Sequence, residues 1–108
     1  MYLAVTHSAI SSVLVHEEQN KQHPVYFISR TLQSAEERYQ VIEKLVLALV
    51  FSARTLRHYF RSYQMIVKID YPIKQILQKP ELVGRVTAWA VELSKFGLIY
   101  QSWGPMKA

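Results

Sequence analysis

The chain has no cysteine, a single aspartate, three glycines and four prolines among its 108 residues. Without cysteine it has neither disulfides nor a thiolate metal site, which agrees with an intracellular protein but does not establish one. So few glycines and prolines exclude a low-complexity or disordered chain. The longest apolar run, from Leu45 to Ala53 with Ser52 inside it, is too short to span a bilayer, so we expect no membrane partner.

Half of the residues are hydrophobic, which is enough to build a core for one domain over residues 1–108. The formal net charge is +5 and the pI is near 9.6. This charge is compatible with a polyanionic partner such as nucleic acid, but many soluble domains carry a similar charge without one. The chain starts inside a strand-like segment and shows no signal-peptide pattern.

Hydrophobic patterning predicts three strands followed by a long helix. Residues 2–6, 10–16 and 24–28 are typical of strands joined by short links, which predicts an antiparallel meander. Ser34 and Glu37 then have the spacing of a capping box, and a helix is predicted from about residue 35 to about residue 60. Its core stripe follows three-to-four spacing: Tyr39, Ile42, Leu45, Val46, Leu49, Ala53, Leu56 and Phe60.

The second half of the chain alternates between strands and helices. Residues 64–70 and 98–102 predict strands, and residues 72–78 and 84–96 predict helices. Pro72 fits the first turn of its helix, and Gly97 fits the position just after the last one. A meander followed by this alternation predicts an α/β domain with a mixed five-stranded sheet and flanking helices.

Asp70 ends the fourth predicted strand, where α/β folds place their chemistry. Metal-dependent phosphodiester cleavage needs several carboxylates around one or two Mg²⁺ ions. This chain has one aspartate and seven glutamates, and most of the glutamates occur in predicted turns or on solvated helix faces. The pattern predicts a nuclease-like scaffold that has lost most of its metal cage. A structural role for Asp70, accepting N–H groups at the start of the following helix, remains an alternative.

A basic group lies near the end of the long predicted helix, at positions i, i+3, i+4 and i+7: Arg54, Arg57, His58 and Arg61. Cations near a helix C-terminus interact favourably with the helix dipole, by about 0.3–1 kcal/mol each. The same residues are also suited to non-specific contact with the phosphates of a nucleic-acid duplex. The sequence leaves both interpretations open.

The ordered motifs resemble those of the RNase H-like domain of reverse transcriptases from gypsy-class LTR retrotransposons. Four stretches carry the resemblance: YLAV with ISSVLV, PVYFISRTL with AE and Tyr39, IEKLVLALV with LRHYF, and DYPI with GR and WAVEL. They cover nearly the whole chain. The version in large plant elements, which lies between the polymerase and a second RNase H, is the most similar. The resemblance implies a ribonuclease H-like fold whose last helix is missing.

The resemblance also implies where catalytic acids belong. Active members bind two Mg²⁺ ions with an acid on the first strand, one on the long helix, one after the fourth strand and one near the chain end. The first three positions fall on Ala4, Leu45 and Asp70, and the last lies after Ala108. Only Asp70 matches. We therefore predict no metal site, no cofactor in this chain and no hydrolysis by the chain alone.

Three functions follow as hypotheses. The first is a catalytically degenerate domain that connects the polymerase portion of a retrotransposon polyprotein to a downstream module and contacts an RNA–DNA hybrid. The polyprotein itself would be an RNA-directed DNA polymerase with ribonuclease H activity. The second is an active Mg²⁺-dependent endonuclease that cleaves RNA in such hybrids. The third is a host-retained interaction module or an inert fragment.

Overall fold

A computed structural model describes residues 1–69 and 84–101 of the chain. The strands are β1 (Tyr2–Val5), β2 (Ala9–Glu18), β3 (Lys21–Thr31), β4 (Ile66–Lys68) and β5 (Ile99–Gln101). The helices are α1 (Ser34–Glu37), α2 (Val41–Thr55), α3 (Arg57–Ser62) and α4 (Gly84–Ser94). The helix predicted for residues 72–78 lies outside the described residues.

The strands form one mixed sheet in the order β3-β2-β1-β4-β5. β1, β2 and β3 make the predicted antiparallel meander, and β4 runs parallel to both β1 and β5. The predicted α/β class and the five-stranded mixed sheet are therefore confirmed. None of the helices in the described part of the chain is long and apolar enough to cross a membrane.

The β2–β3 hairpin is longer than its sequence pattern predicts, because its turn is tighter. Gln19 and Asn20 alone form the loop, and both adopt a left-handed backbone, with φ of 52° and 66°. Positive φ at both central positions is the geometry that matches the twist of a two-residue hairpin. The ladder therefore closes at Glu18 opposite Lys21, and most of the link between the strands predicted over residues 10–16 and 24–28 belongs to the strands.

The single helix predicted for residues 35–60 is wrong, because the chain breaks it into α1, α2 and α3. Glu36 accepts a hydrogen bond from the amide of Gln33 at 2.9 Å, so the first capping box lies one residue before the predicted pair. A second box begins α2, where Glu43 accepts from the amide of Gln40 at 2.9 Å. Leu56 then separates α2 from α3 with a non-helical backbone, at φ −108° and ψ 41°.

α2 packs over the sheet and forms the centre of the hydrophobic core. Most of the predicted stripe is buried, whereas Tyr39 and Ile42 are partly buried. Because the sheet contacts α2 on one side and α4 contacts it on another, apolar residues outside the stripe are buried too. These additional buried residues of α2 are Leu47, Ala48 and Val50.

The interface between α2 and β2 contains a buried hydroxyl pair. The Oγ atoms of Ser12 and Ser52 are 2.7 Å apart, and Ser52 Oγ also donates to the carbonyl of Ala48 at 2.7 Å. A hydroxyl has one proton to donate. Because Ser52 gives its proton to Ala48, Ser12 must be the donor in the pair. The two serines therefore have unequal roles.

We expect Ser52→Ala to lower the free energy of unfolding by about 1–3 kcal/mol, because the buried Ser12 hydroxyl loses its acceptor. Ser12→Ala should cost less, since Ser52 keeps its bond to Ala48. The double variant should be at least as stable as Ser52→Ala. Urea unfolding of the three variants checks this order. Equal costs for the two single variants would contradict the assigned donor.

Candidate active site and basic surface

The parallel pairing of β1 with β4 brings the carboxyl ends of two strands to one edge of the sheet. Ala4 lies near the end of β1, where it pairs with Ser11 of β2. Side chains at this edge of an α/β sheet are the ones that usually meet a ligand. Asp70, the predicted acid, lies outside the described residues, which extend as far as Ile69 here.

The two other positions that the resemblance assigns to acids carry hydrocarbon side chains. Ala4 is exposed, whereas Leu45 is 4% exposed and lies within the core. An ionised carboxylate at position 45 would be buried, which costs several kcal/mol unless it is paired. Among residues 1–69 and 84–101, no three acidic or histidine side chains are grouped to hold a metal. The described donors therefore do not fit a pair of Mg²⁺ ions.

Glu43, two residues before Leu45, is committed to structural contacts. One carboxylate oxygen caps α2 through the Gln40 amide, and the other accepts from Arg85 Nη1 at 2.9 Å. The Glu43 side chain is only 12% exposed, whereas the Arg85 side chain is 46% exposed, so solvent reaches the ion pair from the arginine side. Arg85 also stacks over the ring of Tyr39, at 4.4 Å from its centroid. The capping spacing was readable from the sequence, but the pairing with Arg85 was not.

Lys44 supplies a positive charge close to the end of β1, which the sequence analysis did not anticipate. The residue is 6% exposed, and its Nζ donates to the carbonyls of His7 at 3.0 Å and Thr6 at 3.4 Å. These carbonyls belong to the turn that leaves β1. The ammonium therefore ties the start of α2 to the sheet edge, and it repels any cation that approaches the same carbonyls.

Arg54, the first member of the predicted basic group, is occupied by an ion pair. Its Nε and Nη2 donate to the two carboxylate oxygens of Glu92 at 2.9 and 2.8 Å. The hydrogen bonds from Arg54 hold the pKa of Glu92 below its usual value, and the charges of Lys95 and Arg57 add to this effect. The same bonds raise the pKa of Arg54. The pair joins α2 to α4 and leaves Arg54 less charge to offer to a ligand.

The other three members of the basic group lie on α3, beyond the break at Leu56. Arg57, His58 and Arg61 are all exposed. Arg61 also borders a shallow surface cavity of about 410 Å³ that Lys95 lines from the end of α4. The structure thus brings these exposed basic side chains onto one short helix and adds Lys95 from a distant part of the sequence.

Comparison with known proteins agrees with this architecture. Residues 1–96 match the family described as the RNase H-like domain found in reverse transcriptase. The chain is 37% identical over 75 residues to a retrovirus-related Pol polyprotein from transposon 297 of Drosophila melanogaster. It is 32% identical over 97 residues to the corresponding polyprotein from transposon opus of the same species.

These two matches cover 68% and 86% of the chain. They cover only 7% and 10% of the two polyproteins, so the chain spans a small part of the length of either relative. The family match, by contrast, extends from β1 through α4, without β5, and includes Ala4 and Leu45. The chain therefore belongs to the family of RNase H-like domains found in reverse transcriptases.

Proposed function

We propose that the chain is a catalytically degenerate RNase H-like domain that serves as a structural connection within a retrotransposon Pol polyprotein. One observation carries the proposal: two positions that hold acids in active family members hold hydrocarbon side chains in this chain. These are the exposed methyl group of Ala4 and the buried side chain of Leu45. Two-metal cleavage depends on carboxylates that hold both ions. Asp70 alone cannot supply that coordination, and Glu43, two residues before Leu45, is held by the Gln40 amide and Arg85.

The same proposal includes a finer assignment. It identifies the chain as the version of this domain that occurs in large plant retrotransposons of the gypsy class. It is supported by the order of the motifs, from YLAV near the start to WAVEL in α4. Both relatives are named as Pol polyproteins. By analogy, the partner of this domain is the polymerase portion of the same polyprotein, and a downstream module follows it.

Contact with an RNA–DNA hybrid is the binding role that the charges favour. Arg57, His58 and Arg61 present side chains to solvent from α3, and Lys95 lines the same shallow cavity as Arg61. Phosphate contacts of this kind are independent of sequence and weaken with salt. Arg54 contributes less because Glu92 neutralises it.

Magnesium titration in the presence of a labelled RNA–DNA hybrid tests the loss of catalysis. We expect cleavage to stay at the level of a protein-free sample at every Mg²⁺ or Mn²⁺ concentration, because Ala4 and Leu45 provide no metal ligands. Calorimetry should likewise detect no saturable Mg²⁺ binding.

Asp70→Asn is the matched control for that titration, because it removes the one acid that matches the family pattern. The variant should behave as the unmodified chain does. Cleavage by the unmodified chain that disappears in Asp70→Asn would overturn the proposal and favour an active endonuclease.

Charge reversal on α3 tests the hybrid contact. We expect Arg57→Glu with Arg61→Glu to lower affinity for the hybrid at low salt at least tenfold. The slope of log affinity against log salt concentration should fall by about two, since each lost phosphate contact contributes about one. Fluorescence anisotropy at several salt concentrations measures both quantities.

A matched control separates local contact from net charge. Lys21→Glu with Arg38→Glu makes the same change in charge at two exposed positions outside α3. This control should lose much less affinity than the α3 variant. Equal losses in the two proteins would show that overall charge, and not the α3 surface, governs binding.

A further inference from the structure

A cavity of about 550 Å³ opens where β1 begins, at the opposite end of that strand from Ala4. One wall is formed by residues 14–17 of β2, and the facing wall is formed by residues 63–66, which lead into β4. Each wall consists of four consecutive residues. Successive side chains of an extended chain point to opposite faces. A wall of consecutive residues therefore presents the edge of the backbone itself.

The β2 wall has an unused ladder edge within the described chain. β1 pairs with β2 from Val5 opposite Ile10 to Tyr2 opposite Val13. β2 continues to Glu18, and past Leu14 its ladder partners are those of β3 on its other side. A strand edge that borders a cavity offers main-chain N–H and C=O groups for pairing.

The facing wall offers complementary groups. The Met1 amine donates to the carbonyl of Ile66 at 2.8 Å, and the Lys68 amide donates to the carbonyl of Met1 at 2.8 Å. Parallel ladders repeat every two residues. The next pair of groups toward the cavity is therefore the carbonyl of Gln64 and the amide of Ile66.

Met1 has the surroundings of a residue in the middle of a strand. Its side chain is 5% exposed and belongs to the core. Burial, and then the charge of Lys68, lower the pKa of its terminal amine from 8.0 to about 6. A peptide N–H would make the same bond to Ile66 without carrying a charge into the core.

We propose that this cavity is a strand slot, in which an extended segment joined to the amino side of Met1 continues β1 between β2 and β4. The inference rests on the proposed function, since it takes the chain to be one part of a longer polyprotein. The two relatives, of which the chain covers 7% and 10%, have ample length to supply such a segment. Four residues at about 3.3 Å each would reach the end of β2.

The alternation of β1 defines which side chains fit the strand slot. Met1 and Leu3 point into the core. The second and fourth residues ahead of Met1 share that face and meet apolar side chains such as Tyr59 and Met65. The first and third share the face of Tyr2, where polar groups such as Lys68 line the slot. The slot therefore selects an extended segment with apolar residues at the second and fourth positions.

Three extended proteins of equal length test the slot. The first adds Val-Thr-Val-Thr ahead of Met1, the second adds Thr-Val-Thr-Val, and the third adds Gly-Ser-Gly-Ser. We expect the first to melt at least about 4 °C above the third, a shift that corresponds to about 1 kcal/mol in a domain of this size. The second should melt below the first, because its valines face the wrong side.

Amide hydrogen exchange at Ile66 provides a readout of the pairing itself. In the Val-Thr-Val-Thr protein this amide should exchange at least tenfold more slowly than in the unextended chain, because it gains a carbonyl partner. Melting temperatures within about 1 °C of one another, with unchanged exchange at Ile66, would overturn the strand slot. Equal stabilisation by the two valine–threonine extensions would also overturn it, since strand propensity would then suffice. These readouts involve neither metal nor nucleic acid, so they are distinguishable from failure of the proposed function.

Discussion

Enclosure of α2 between the sheet and α4 is the constraint on which the rest of the structure depends. Every residue of α2 from Lys44 to Ala53 except Phe51 is buried, so a polar group there must have a partner within the protein. The Ser52 hydroxyl hydrogen-bonds to Ser12 and to the carbonyl of Ala48, and the Lys44 ammonium donates to the carbonyls that follow β1. Leu45 belongs to this enclosed stretch, so an unpaired carboxylate at this position would be costly.

The start of α2 is held by structural contacts to other elements. Glu43 and Lys44 carry opposite charges beside Leu45, and each is held by contacts that join separate elements. Glu43 joins α2 to α4 through Arg85, and Lys44 joins α2 to the end of β1. If Glu43 bound a metal ion, Arg85 would lose its ion-pair partner. The start of α2 therefore works as a junction between α4 and the end of β1.

Sequence periodicity predicted the order of the five strands and most of the core, because burial imposes its spacing directly on the chain. It did not predict the break at Leu56, since the apolar stripe runs through that residue without interruption. Sequence periodicity also did not predict two ion pairs, that of Arg54 with Glu92 and that of Arg85 with Glu43. Their partners are 38 and 42 residues apart, and only the tertiary fold brings them together.

The edge strand β3 has a consequence for how the protein behaves at high concentration. Val25, Tyr26 and Phe27 are all exposed there, with Phe27 at 64%. Such an edge invites sheet-to-sheet association between molecules. Pro24 lacks an N–H, and the irregular pairing beside it makes Val25 the extra residue of a bulge, so the edge is interrupted where it is most apolar. Proline and bulge together act as a gatekeeper against fibril growth.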